Sequence, residues 1–158
     1  MLRKVQQTKM QSRGGAFAIV ASRYNARYVD AMVRAAKAEL RRAGVSRIQI
    51  VRVPGAYEIP IVAAKLARNA SRLSAIICLG VILRGETVHA AHIGEAVSRA
   101  LMEIQLAHEI PVIHEVLLLE NEVQARARCL GRKHNRGTEA AQTGLVMAWA
   151  MSDLNTAV

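Results

Sequence analysis

The chain has 158 residues, 52% of them hydrophobic and only 3% aromatic, with a formal net charge of +10, which gives one compact domain ample core without disulfide stapling. So strong a positive charge suits nucleic acid, yet few rings are present for base stacking and no helix-turn-helix, zinc-finger or RNP pattern occurs, so a surface for small phosphorylated anions explains the charge at least as well and no nucleic-acid partner is expected. The longest apolar stretches, such as Ala75 to Leu83, stop well short of the roughly 18 to 20 residues that span a bilayer, and no membrane partner is expected.

Met1 to Gly15 is polar and basic and lacks the apolar segment of a secretory signal, so it reads as a tail over 1–15 preceding a single domain over 16–158 in a cytoplasmic protein. Four β-branched apolar runs then alternate with amphipathic stretches, which predicts α/β architecture with a parallel sheet. The first strand is expected at Ala16 to Ala21. The helix after it carries Val29, Met32, Val33, Ala36 and Leu40 on one face, and Gly44 stops it. A second strand follows at Arg47 to Val53. The next crossover begins at Glu58, with Pro60 in the first turn, where its missing N–H costs nothing. The third strand, Ser74 to Ile82, leads into the longest helix, expected to start near Thr87 with that hydroxyl as its cap. A fourth strand at Val112 to Leu119 precedes a short helix from about Glu122 to Cys129, a loop at Gly131 to Asn135 and a final helix. The strands are too continuously apolar to have one face in water. Cys78 lies in a buried-strand run and Cys129 in a basic, loop-adjacent segment, and neither suggests a bridge or a metal site.

In an open parallel sheet the ligand sits beyond the carboxyl ends of the strands, so the four exits carry the chemistry. They read Ser22-Arg23-Tyr24-Asn25, then Val53-Pro54-Gly55-Ala56-Tyr57-Glu58, Leu83-Arg84-Gly85-Glu86-Thr87-Val88-His89, and Leu119-Glu120-Asn121-Glu122. Gly85 with the N–H groups of Glu86, Thr87 and Val88 forms a ready anion site at a helix start, although an ordinary capped helix has the same appearance. His89 falls in the first helical turn, where the dipole favours a neutral ring able to exchange protons near pH 7. A lone histidine is more often a surface or packing residue, and His92, His108, His114 and His134 carry no signal of their own. Arg126 to Gly137 holds the densest positive charge, and it can grip phosphate or simply be solvated. Tyr24 offers a flat face to a heterocycle, while Ala56 and Glu58 can hydrogen-bond hydroxyls. There is no Ser-His-Asp order, Walker loop, GxGxxG or zinc pattern.

These exits resemble the lumazine synthase family from about Phe17 to the last helix. The carrying segments are Val53-Pro54-Gly55-Ala56-Tyr57-Glu58-Ile59-Pro60, Gly80 to His89, and Glu120 to Ala125 followed by Asn135-Arg136-Gly137-Thr138-Glu139-Ala140-Ala141. The resemblance implies a flavodoxin-like three-layer sandwich, a four-stranded parallel sheet flanked by helices on both faces. It also implies condensation of 5-amino-6-(D-ribitylamino)uracil with 3,4-dihydroxy-2-butanone 4-phosphate, without a cofactor or metal, in riboflavin biosynthesis. By the resemblance Tyr24 stacks on the pyrimidine beside Asn25, Gly55, Ala56 and Glu58 hold the ribityl chain, and Val81, Ile82 and Leu83 wall the heterocycle. Gly85, Glu86 and Thr87 match the phosphate turn, His89 the proton-transfer histidine and Arg128 the phosphate-binding arginine. Arg136 replaces a lysine near the pyrimidine. Ala90 replaces an aromatic, and His114 stands where a phenylalanine of the neighbouring subunit closes the pocket. The family further implies homopentamers, in some members assembled into shells, with active sites between subunits. The alternatives are a non-catalytic shell or flavin-like ligand-binding protein on the same scaffold, and a basic RNA-binding module.

Overall fold

The structure is a computed structural model that describes residues 10–69 and 72–157; of the basic tail, residues 1–9 lie outside the described residues. In chain order the elements are β1 (Ala16–Ser22), α1 (Ala26–Arg42), β2 (Arg47–Val53), a single 3-10 turn (Ala56–Glu58), α2 (Ile59–Arg68), β3 (Leu73–Leu83), α3 (His89–His108), β4 (Val112–Leu119), α4 (Glu122–Cys129) and α5 (Arg136–Thr156). The strands form one parallel sheet in the order β2-β1-β3-β4. The chain winds outward from β1 to β2 and then outward the other way through β3 and β4, so the winding reverses between β1 and β3. Helices from the two directions cover opposite faces, and the crevice at the carboxyl ends of β1 and β3 is where such a sheet accepts a ligand.

Alternation along each strand divides the core into two layers. Phe17, Ile19, Ile77 and Leu79 pack with Val29, Met32 and Leu40 of α1, Ala125 of α4 and Ala140, Ala141 and Leu145 of α5. Ala18, Val20, Ile76 and Cys78 pack on the other face with Ile59 and Ala63 of α2 and Val97 and Leu101 of α3. Helices α1 and α5 approach so closely at Gly137 that an added Cβ would lie 2.6 Å from Met32 Cα. Only glycine fits there, because the obstacle is backbone. Both cysteines are buried and free, and burial pushes the thiols up, to about 12 for Cys78 and about 11 for Cys129, which makes both inert.

Gln11 to Arg13 are held against the domain. Ser12 N–H donates to Ala43 O at 2.6 Å and Trp149 Nε1–H to Gln11 O at 3.1 Å. Arg13 lies 3.7 Å above the Trp149 ring and pairs with Asp153.

The start of α3 differs from expectation. The helix begins at His89, the residue before it is Val88 in a helical conformation (φ −71°, ψ −3°), and no side chain caps it. A capping hydroxyl needs extended backbone at the cap position to turn back onto the first amides. Thr87 sits one residue too early to do so. No helix among the described residues is long and apolar enough to cross a membrane.

Candidate active site

The crevice at the winding reversal is a cavity of about 700 Å³ lined by Tyr24, Asn25, Gly55, Ala56, Tyr57, Glu58, Val81, Ile82, Leu83, His89, His92 and Ile93. Its first wall joins the exits of β1 and β2. Arg23 N–H donates to Val53 O at 2.8 Å and Tyr24 N–H to Pro54 O at 3.0 Å, so the two exits are tied together before their side chains diverge. Asn25 adopts the left-handed conformation at φ 57°, which asparagine tolerates better than most residues. From there its Nδ2 donates to Val81 O at 2.7 Å, bridging the reversal point from β1 to β3.

Gly55 N–H donates to Glu58 Oε2 at 2.8 Å, which folds the 3-10 turn back on itself. An added Cβ on Gly55 would lie 3.0 Å from both that oxygen and Tyr24 Cδ2. A larger residue here would have to push the Tyr24 ring or the Glu58 carboxylate aside by a few tenths of an ångström. The ring is 68% exposed, an unusual state for a large aromatic and one that leaves a face free for stacking. Glu58 lines the same cavity as the ring.

The opposite wall is the exit of β3 with the start of α3. Gly85, Glu86 and Thr87 are exposed, outside the cavity lining, on the turn that leads into His89. Arg84 N–H donates to Leu119 O at 2.8 Å, anchoring the turn to the β4 exit, and the Arg84 guanidinium pairs with Glu120. No hydrogen bond occupies the N–H groups of Glu86, Thr87 or Val88 among the described residues, so they remain donors for an anion.

The remaining three expected residues lie away from this cavity. On β4, His114 and Glu115 point to opposite faces. His114 turns towards α3, where Val116 N–H donates to its Nδ1 at 3.1 Å and its Nε2 lies 2.7 Å from Ser98 Oγ. The amide fixes Nδ1 as acceptor, so Nε2 carries the proton and donates to Ser98, whose hydroxyl donates to Gly94 O at 2.8 Å. Burial holds the His114 ring below its ordinary value, and it stays neutral. A second β4 amide, Val112 N–H, donates to Gln105 Oε1 at 3.0 Å.

Arg128 and Arg136 lie with α4 and α5 on the other layer. Arg136 Nε and Nη2 donate to the two oxygens of Glu115 at 3.0 Å each, and Nη1 donates to Glu139 Oε2 at 2.8 Å. Burial pushes the Glu115 carboxyl up and Arg136 pulls it part of the way back. Arg136 is therefore committed within this chain to two carboxylates. Arg128 is exposed on the last turn of α4 and makes no hydrogen bond or ion pair among the described residues. Asn135 couples it to α5: its Nδ2 donates to Cys129 O at 2.6 Å and its Oδ1 accepts from Gly137 N–H at 2.8 Å.

The structure thus brings together Tyr24, Asn25, Gly55, Ala56, Glu58, Val81, Ile82, Leu83 and His89, places Gly85, Glu86 and Thr87 at the rim, and sets His114, Arg128 and Arg136 apart. Tyr57, His92 and Ile93 also line the cavity. The signal for His92 is its spacing, since residues three apart on a helix share a face with His89. Among the described residues no group of three or more His, Cys, Asp or Glu side chains could hold a metal ion.

A profile of the 6,7-dimethyl-8-ribityllumazine synthase family matches residues 14–152. The chain is 41% identical over 140 residues to the 6,7-dimethyl-8-ribityllumazine synthase of Stenotrophomonas maltophilia, an alignment covering 87% of this chain and 90% of that protein. It is 41% identical over 131 residues to the synthase of the same name from Xanthomonas euvesicatoria pv. vesicatoria, covering 82% of this chain and 84% of that one. A third, from Xanthomonas oryzae pv. oryzae, is 40% identical over the same shares.

Proposed function

This chain belongs to the 6,7-dimethyl-8-ribityllumazine synthase family, and we propose that it completes its active site across a contact between copies of itself. The reaction condenses 5-amino-6-(D-ribitylamino)uracil with 3,4-dihydroxy-2-butanone 4-phosphate to 6,7-dimethyl-8-ribityllumazine, phosphate and water. It joins an amine to a ketone, expels phosphate, closes a second ring and loses water, with no net oxidation or reduction. Such chemistry needs two reactants held in register, counter-charge for phosphate and a route for protons.

The carrying observation is the cavity at the winding reversal, which combines an exposed ring, a carboxylate, a row of backbone groups and a histidine. In it Tyr24 stacks on the pyrimidine, Gly55, Ala56 and Glu58 hold the ribityl hydroxyls, and Val81, Ile82 and Leu83 wall the heterocycle. His89 moves protons, and the amides of the Gly85 to Thr87 turn receive the phosphate. The cation for that phosphate is Arg128, delivered with His114 and Arg136 by the adjacent subunit: within one chain Arg128 and Arg136 lie with α4 and α5 on the far layer, and His114 is turned onto Ser98 of α3 outside the cavity lining. A homopentamer, alone or assembled further, supplies such a repeated contact, and the location is the cytoplasm.

Mixing the two substrates with purified protein and following lumazine fluorescence tests the activity. A ligand carrier on the same scaffold would bind the pyrimidine and release no phosphate. Verified mixed oligomers of inactive Tyr24→Ala and inactive Arg128→Ala subunits are expected to recover activity through contacts that pair two intact halves. No recovery would refute the shared site.

A further inference from the structure

Two histidines open into the cavity, and only His89 has been given work. His92 lies three residues further along α3, on the same helical face, and also lines the cavity. Its backbone N–H donates to Val88 O at 3.2 Å, so regular helix geometry sets where its side chain leaves the backbone. Neither ring makes a hydrogen bond among the described residues, which leaves each with an unengaged donor and acceptor nitrogen. His89, at the first residue of α3, adjoins the Gly85 to Thr87 turn, whereas His92 is about 4.5 Å further along the helix axis at 1.5 Å per residue, next to Ile93.

The reaction makes two separate demands on proton carriers: one at the end of the ketose where phosphate departs, the other at the nitrogens that close the new ring. Resting on the reading of the site given above, we infer that His92 is the proton carrier for ring closure, while His89 serves the earlier, phosphate-releasing steps.

After phosphate has left, the attached four-carbon unit carries a ketone. The ribityl-bearing nitrogen attacks the ketone carbon, a C–N bond forms and the C=O pair moves to oxygen. The His92 imidazole takes the proton from that nitrogen and delivers it to the oxygen, leaving a hydroxyl. It then receives the pyrimidine ring N–H proton and passes it to the hydroxyl. The C–O bond breaks with its electron pair on the departing water, and the electrons of the former N–H bond complete the conjugated ring. The imidazole ends as it began.

The test is a single turnover of the full-length protein with phosphate and lumazine followed in parallel. His92→Gln retains hydrogen bonding without titrating, and the position is exposed, so the core is undisturbed. Phosphate release is expected within about two-fold of wild type while lumazine lags by roughly 10- to 100-fold, at or below the usual range for loss of a general acid-base group. In His92→Ala, added imidazole is expected to shorten the lag. The inference is overturned if the variant yields both products in step, whether at the wild-type rate or equally slowed. Wild-type protein that forms no lumazine would overturn the underlying reading instead.

Discussion

Replacing Arg136 by alanine takes away the bidentate partner of the buried Glu115 carboxylate. The Glu115 side chain is 11% exposed and Arg136 34%, joined by two hydrogen bonds of 3.0 Å. Breaking a fully buried pair by removing one partner costs about 3 to 5 kcal/mol; with Arg136 one-third exposed, water recovers part of this, and about 2 to 3 kcal/mol is expected at neutral pH. The pH dependence has a definite sign. Burial already holds the Glu115 carboxyl above its ordinary value, and Arg136 offsets part of that rise, so its removal sends the carboxyl higher still. A carboxyl raised on folding contributes stability below its unfolded value, near 4.3, and loses it as pH rises through the folded value. The destabilisation of Arg136→Ala is therefore largest at neutral pH and fades on acidification towards that ordinary value, as Glu115 takes up a proton. Urea unfolding of wild type, Arg136→Ala and Arg136→Ala/Glu115→Gln, at fixed subunit concentration and at pH 7 and pH 5, measures this. The double variant is expected to recover stability at pH 7 relative to Arg136→Ala. A penalty of equal size at both pH values, without recovery, would refute the assignment of a buried, charge-compensated carboxylate.

Gly55→Ala is expected to weaken pyrimidine binding by about ten-fold or more, roughly 1 to 3 kcal/mol of lost stacking, because the new methyl displaces Tyr24 or Glu58; isothermal titration with the pyrimidine checks it. Arg128→Ala is expected to raise KM for the ketose phosphate by about one to two decades, with Arg128→Lys recovering part, while thermal stability stays within about 0.5 kcal/mol of wild type, since no hydrogen bond or ion pair to Arg128 is lost among the described residues. Gly137→Ala is expected to destabilise by about 3 kcal/mol or more, because the obstacle is the Met32 backbone and neither helix can yield locally; chemical denaturation and the yield of folded protein report it.

Apolar, β-branched runs made the strand positions legible: β2 and β4 fall at the expected residues, and β1 and β3 extend only one residue beyond them at one or both ends, although β2, an outer strand with Arg47, Gln49 and Ile50 exposed, is not covered on both faces as expected. The exits were legible for a different reason, since Tyr24, Gly55 and His89 follow directly on strands in segments distinctive enough to carry a family resemblance. What stayed hidden depends on the third dimension. Arg136 and Glu115 lie 21 residues apart, and no local pattern marks a bidentate pair between a strand and a helix. Thr87 suits a cap by residue type, whereas capping depends on backbone conformation, and the residue before the helix, Val88, is already helical. His92 looked anonymous until the direction of α3 placed it beside His89. The separation of Arg128 from the cavity required the strand order, which no stretch of sequence states.

The two amides of β4 that donate to side chains, Val112 to Gln105 and Val116 to His114, have a consequence for how copies of this chain meet. Strand β4 is an outer strand of the sheet, and the exposed rim of such a strand is normally a template on which another chain can crystallise as an extra strand, the first step towards fibrous aggregates. Here two of the amides such an intruder would need are already engaged, and Glu115 adds an inward-pointing charge that resists slippage. The opposite rim, on β2, begins with exposed Arg47, whose charge discourages strand addition there, while Arg52 is held by Asp30 of α1. If copies of this chain share an active site as proposed, rims that resist indiscriminate pairing leave shape-specific contacts to decide which surfaces come together.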